Sequence, residues 1–523
     1  MTLGHTYAGS LDQNGARIFW AAAALKNKLI YGADVSNAFA EAPPPKAPLY
    51  VRIDEQYREW WKKQGNAEVP RNFVLPVKRA LQGHPESSRL WAILINNILV
   101  KDIKLTPTKH EPCLYHGVYK GNEILFLRQV DDFAIACDNE QIAKDMIAEI
   151  NSKMSVNIKY LGLLDRFNGV DIAQTRQYIK IHNQTYLKKI LKNYSWIWKD
   201  KNYKRVNPVP MKTTHGYQKS LEEADRPLTP DSAIKLQRKQ GFNYRQAIGE
   251  LLYAMVTCQP DISYPVIKLS QYSNNPGDIH YEAIKELMHF LHDTIDDGII
   301  YWRPKGNDVL PPGPIPQIKP DTRPKADENI TTNATNMKGN VDSDWAGDSV
   351  HRRSVTGYTL ELAGGTIYYK SKFQETVATS SCEAEFTAAC EAAKSICYVR
   401  SILDEINVPQ KDATTLFIDN QGALLMADAQ QPTRRTRHID IKHFKIQEWV
   451  EQDILTMKRI NTHDNRSDAM TKALPHGLFY RHMDRIMGRE IPSYVSMDST
   501  LLYTRQHSQE NGGGVTITTI PTG

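Results

Sequence analysis

The chain has no run approaching the roughly 18 apolar residues that a membrane span requires, and its N-terminus lacks the charged-then-apolar layout of a secretory signal. It carries six cysteines, at 113, 137, 258, 382, 390 and 397, with no CxxC pair and no metal-ligand spacing. A disulfide scaffold and a zinc module are therefore not expected, and Cys390 and Cys397 read as buried thiols on one helix. There is no internal repeat and no strong excess of one charge. The formal net charge of +6 permits a polyanionic partner without demanding one. What remains is an ordinary globular composition over 523 residues, enough for roughly three to five domains in a soluble, intracellular protein.

Hydrophobic periodicity divides the chain. A helical pattern from Ala16 to Leu29 runs into a strand, and apolar runs alternate with helical segments to about residue 175. Residues 123–137 read as a hairpin, with apolar ILFL, then VDD, then apolar FAIA. Residues 176–303 are mostly helical, and "YRQAIGELLYAMV" shows apolar positions at i, i+3 and i+4. Seven prolines fall within residues 304–338 among polar side chains, which predicts a flexible linker. Strands at "TGYTLELA" and "TIYYKSK", a helix over about 380–405 and a strand at "TTLFID" define a last domain over 339–475. Residues 476–523 read as a partly disordered tail.

Two sets of acids stand out. Asp34 ends the strand in "LIYGADVSNAFAEAP", and Asp131 and Asp132 sit at the tip of the hairpin in "ILFLRQVDDFAIAC". One acid after a strand and a pair in a turn could hold two divalent cations for phosphoryl transfer, although Asp-Asp is also ordinary turn chemistry. Beyond the prolines come Asp342 in "GNVDSDWAGD", Glu383 and Glu385 in "SSCEAEFTAAC", Asp419 in "LFIDNQGA" and Asp468 in "NRSDAMTKALP". Four convergent carboxylates would again suit divalent metals and phosphodiester cleavage, while any one acid alone reads as a surface charge.

These segments resemble, in family order, the reverse transcriptase and ribonuclease H regions of copia-type retrotransposon polyproteins. "DVSNAF" is similar to the first palm motif and "VDD" to the catalytic hairpin. "ALQGHPESSRLW", "YLGLLDRFNGVDI" and "LSQYSNNPGDIHYEAIKELMHFL" continue the likeness. The later acids resemble the nuclease patterns "SDADWAGD", "SSTEAEY", "CDNQSA" and "LADILTKPL". The resemblance implies an α+β multidomain fold: a palm with truncated fingers over 1–175, a helical thumb and connection over 176–303, then an α/β ribonuclease H-like domain.

It further implies that Asp34, Asp131 and Asp132 hold Mg²⁺, or Mn²⁺ in its place, with Val35, Phe39, Gly83 and Arg89 around the incoming nucleotide and Phe39 as a steric gate against ribose. Asp342, Glu385, Asp419 and Asp468 would hold the nuclease metals, Glu383 being the alternative to Glu385. Arg434, Arg435, Arg437 and Lys442 read either as a phosphate-contacting stripe or as a solvated face. His463 reads either as a proton shuttle or as a loop residue without a role. The implied partners are an RNA template, a DNA primer, RNA–DNA hybrid and deoxynucleoside triphosphates, in a particle-bound cytoplasmic or a nuclear setting, with an integrase segment upstream in the parent element.

The chain departs from the family at Gln129, where a Tyr is usual, and at Glu86, where a Gln is usual. With part of the fingers expected to be missing, weak polymerase activity follows. A nuclease alone, or a non-catalytic nucleic-acid-binding relic, are the other readings.

Overall fold

The computed structural model describes residues 8–199, 208–316, 318, 333–345, 352–428 and 440–495. Its strands are β1 (Leu29–Val35), β2 (Tyr50–Arg52), β3 (Val74–Pro76), β4 (Thr106–Pro107), β5 (Leu114–Tyr119), β6 (Asn122–Gln129), β7 (Asp132–Cys137), β8 (Ile158–Leu163), β9 (Arg166–Phe167), β10 (Val170–Gln174), β11 (Tyr178–His182), β12 (Gly298–Trp302), β13 (Lys338–Asp344), β14 (Val355–Leu362), β15 (Gly365–Phe373), β16 (Thr414–Ile418) and β17 (Leu455–Arg459).

The first sheet has the order β4-β5-β6-β7-β1-β8, and β1 runs antiparallel to both of its neighbours. Its alternating side chains feed two cores. Ile30, Leu125, Leu127, Ala134 and Ala136 pack towards the helix Gln13–Leu25, whereas Tyr31, Ala33, Phe126, Phe133 and Ile135 pack towards Trp91 and Met146 on the helices Ser87–Asn97 and Glu140–Asn151. A strand with both faces apolar must be covered on both sides, which explains the three layers.

A second antiparallel sheet, β12-β11-β10-β9, joins strands far apart in sequence: Tyr178 pairs with Trp302. The stretch 176–303, expected to be mostly helical, thus contributes two sheet strands besides the helices Tyr244–Thr257, Ser263–Ser270 and Asp278–Asp293. The last sheet, β15-β14-β13-β16-β17, is antiparallel through β13 and parallel from β13 to β17, with the helix Ser381–Glu405 packed on it. A mixed five-stranded sheet of this kind is the expected α/β domain, following the α+β portion.

Two expectations are corrected. Residues 304–316 are not a free linker. The Arg176 N–H donates to the Pro311 carbonyl, the Tyr178 hydroxyl to the Pro314 carbonyl and the Gly313 N–H to Gln177 Oε1, while Leu310 is buried in the core on the Trp91 side of the first sheet. Proline lacks a donor but keeps its acceptor, so a proline-rich strap can lie against a partner that supplies the N–H and O–H groups. Nor does the ordered domain end at 475. The helix His476–Ile486 buries Phe479, Tyr480, Met483 and Ile486 in the main core. Its apolar spacing is that of a packed helix, and the description continues to Val495.

The halves are joined through the helix Gln13–Leu25. Arg17, buried on it, donates to the carbonyls of Ile367, Val256 and Thr257 and lies over the Tyr369 ring. Main-chain bonds from Ile300 to Met487 and from Trp302 to Ala363 add to the junction. No helix among the described residues is long and apolar enough to cross a membrane.

Candidate active sites

The first cluster is built by register. Asp34 stands directly opposite Asp132 across the β1–β7 ladder, and the Val35 N–H donates to the Asp131 carbonyl at 3.0 Å. Asp34 and Asp132 are half-buried and Asp131 is exposed. The Asn168 N–H donates to Asp132 Oδ2 at 3.3 Å. Burial raises the Asp132 carboxyl above the usual range, the Asn168 bond opposes that, and Asp131 and Asp34 push it further up.

The turn between β6 and β7 is Val130–Asp131. Val130 has φ +52°, a left-handed backbone that a β-branched residue adopts only at a cost. The turn is held from outside: the buried Trp91 donates from Nε1 to the Val130 carbonyl at 2.7 Å. Trp91 was legible as a match to a family segment, but its role as a brace was not. Gln129, the departure from the family, accepts the Leu11 N–H at 3.0 Å and so ties the N-terminal segment to the hairpin.

Val35 is buried at the end of β1, and Phe39 packs half-buried on the core shared with Trp91, in the short helix Ala38–Glu41. Gly83 has φ +87° in an exposed turn, and Arg89 is half-buried on the helix Ser87–Asn97. The three acids do not converge as closely as the second set does.

There, Asp342, Glu385 and Asp419 each offer a carboxylate oxygen within 4.8 Å of the others, the one such group among the described residues. Asp342 lies on central β13, Glu385 on the first turns of the helix Ser381–Glu405, and Asp419 just past β16. Asp342 and Glu385 are 3% and 5% exposed. Glu383 is turned elsewhere and accepts from the Thr379 N–H and hydroxyl at 2.7 and 2.6 Å. The two acids are two residues apart, so they project from different sides of the helix.

Asp468 comes from the segment that follows β17. Opposite Asp342 on β14 is Gly357, where a Cβ would stand 2.5 Å from Thr471 and 2.7 Å from Met470. The missing side chain lets the segment bearing Asp468 lie against the strand. Asn465, fully buried, donates to the Val341 carbonyl at 2.9 Å, and the Thr471 hydroxyl donates to Asp342. Asp468, 2% exposed, pairs with Lys472 Nζ at 3.1 Å. Desolvation is the leading cause that raises Asp342, Glu385 and Asp468, with Asp468 pushed up to about 8; mutual repulsion adds to it and Lys472 opposes it.

One oxygen of Glu385, Oε2, is buried without a hydrogen-bond partner. Buried carboxylates with an orphan oxygen and raised protonation are what a divalent cation would satisfy, so these residues fit one.

His463 is exposed in a short helical turn, and its neighbours are pinned: Asp464 pairs with Arg481 and Arg466 with buried Glu361. Arg434, Arg435 and Arg437 lie outside the described residues. Lys442 falls on the helix Asp440–Glu451, with its side chain outside them.

Residues 4–209 match the family model described as "Reverse transcriptase (RNA-dependent DNA polymerase)", so that this portion is of the reverse transcriptase type. The chain is 28% identical over 451 residues to the Retrovirus-related Pol polyprotein from transposon TNT 1-94 of Nicotiana tabacum, covering 85% of this chain and 30% of that one. It is 25% identical over 491 residues to the Pol polyprotein from transposon RE2 of Arabidopsis thaliana, covering 93% and 29%. The chain is thus a relative of the polyproteins of copia-type retrotransposons, and it spans about 30% of the length of these relatives. Among solved structures, the foamy viral protease-reverse transcriptase dRH in complex with ds DNA is similar over 83% of this chain and 57% of that one, at 13% identity and a TM-score of 0.40, too distant to bear on function.

Proposed function

We propose that the chain is an RNA-directed DNA polymerase joined to a ribonuclease H that cuts the RNA strand of RNA–DNA hybrids. The observation that carries the nuclease is the mutually close set of buried Asp342, buried Glu385 and half-buried Asp419, with its orphan oxygen. The reverse-transcriptase match over residues 4–209 supports the polymerase.

Mg²⁺ or Mn²⁺ bound by the nuclease acids would supply a polarised water and neutralise charge on the scissile phosphate. The protein's part is to hold that geometry. Central β13 fixes Asp342, helix and strand ends fix Glu385 and Asp419, and Asn465 and Thr471 lock the strand carrying Asp342 to the segment carrying Asp468. In the palm, the β1–β7 register sets Asp34 against Asp132, and Trp91 braces the turn that presents Asp131. Template, primer, hybrid and deoxynucleoside triphosphates are the partners this reading gives, with Phe39 beside the nucleotide sugar.

The test is single-turnover cleavage of an end-labelled RNA–DNA hybrid by the full chain in Mg²⁺ or Mn²⁺. Asp419→Asn is expected to slow cleavage by about a thousandfold or more, as loss of a charged group at the reacting centre does. Cleavage at the parent rate would remove Asp419 from the site. Metal-dependent primer extension that Asp131→Asn abolishes tests the other half.

A further inference from the structure

The nuclease acids are not served alike. Asp342, Glu385 and Asp419 face one another with Glu385 Oε2 unpartnered, 95% of Glu385 being shielded from solvent. Between Asp342 and Asp468 the protein already supplies a cation: Lys472 Nζ lies 3.1 Å from Asp468 Oδ1, a buried oxygen that has this ion pair but no well-aligned hydrogen bond, and 3.9 Å from Asp342 Oδ2. The Lys472 side chain is 39% exposed, so its ammonium has a way out to solvent.

Resting on the nuclease reading, we propose that Lys472 is an internal counter-cation that makes the two metal positions unequal. A divalent ion enters beside Asp342, Glu385 and Asp419 without displacing anything. A second, between Asp342 and Asp468, binds only when the Lys472 ammonium leaves.

The physical ground is competition. A single ammonium three to four ångströms from two carboxylates offsets one of their two charges, and an entering ion must exceed that interaction before it gains. Lys472 is thereby a positioning residue. It keeps Asp342 and Asp468 in place before loading, and once displaced it is a free cation beside the reacting phosphate. Its spacing from Asp468, four residues on, carries both groups on one short segment with Thr471, which donates to Asp342.

The experiment is Mn²⁺ titration by calorimetry of the full chain carrying Asp34→Asn and Asp131→Asn, so that ions at the first cluster do not register. Two binding steps separated by about tenfold or more in affinity are expected. Lys472→Met should tighten the weaker step by about tenfold, and Lys472→Arg, which keeps the charge, should restore the parent isotherm. On the unsubstituted residue, acetylation of Lys472 by acetic anhydride, read by mass spectrometry, should rise only as the second ion binds. Equal sites in the parent, or a Lys472→Met isotherm indistinguishable from it, would overturn the proposal and leave the nuclease reading standing. Absence of any Mn²⁺ bound to the folded chain would overturn both.

Discussion

The two acid clusters are assembled in opposite ways. In the first, one β-ladder does the work: Asp34 and Asp132 are half-buried register partners, and Asp131 follows from the turn, exposed to solvent. In the second, Asp342, Glu385, Asp419 and Asp468 come from four separated segments; all but the half-buried Asp419 sink into a core, where burial raises them. An exposed site can be held by local geometry. A buried site needs counter-charges and distant braces, because every unneutralised carboxylate in it costs folding energy.

The comparison can be broken most strongly at the joint between the halves. Arg17→Met removes three charged hydrogen bonds to main-chain carbonyls, two of them buried, and the stacking on Tyr369. It should destabilise the chain by about 4 kcal/mol and split one unfolding transition into two in calorimetry. A single transition at the parent temperature would show that the halves do not depend on this contact.

Asp261 sharpens the contrast as a buried acid outside either cluster. Both its oxygens lack partners, and burial, then Asp297, push its carboxyl up to about 7. A raised folded pKa means that the folded state holds its proton longer than the unfolded chain. Stability therefore falls as pH rises from about 4 to 7 and levels off above. Asp261→Asn should flatten that slope and stabilise the protein by about 4 kcal/mol at pH 8. A urea midpoint that keeps the parent's pH profile would contradict this account.

Smaller effects belong to the open cluster. Trp91→Phe leaves the Val130 carbonyl without its donor and should cost about 2 kcal/mol, with a fall in primer extension that exceeds any fall in hybrid cleavage. Equal losses in both activities would make Trp91 a core residue and no more. Smallest is Val130→Gly. It relieves the left-handed strain but gives up some packing and backbone entropy, so the denaturation midpoint should move by less than about 1 kcal/mol. A large loss would mean that the Val130 side chain matters more than its backbone.

Much of this could be read along the chain. The period-two runs marked β6, β7, β14 and β15, the helical period marked residues 381–405, and acids at strand and helix ends marked both clusters, since local sterics and one-sided burial write themselves into nearby residues. The sequence favours Glu385 over Glu383 only through its resemblance to a family pattern. It takes the helix packed on β13 to show which acid faces Asp342. The packing of residues 304–316 does not show in the sequence, because proline content reports the missing donors of a segment and says nothing of the groups that donate to it. Gly357, Asn465 and Lys472 carry no local signal, and Trp91 carries none for its role as a brace. Each acts through a contact with residues remote in sequence, such as Asn465 with Val341 or Trp91 with Val130. The sequence alone determined which acids exist and on what elements they ride; only the tertiary structure decided which of them meet and what neutralises them, because desolvation and long-range hydrogen bonds arise when distant segments are packed together.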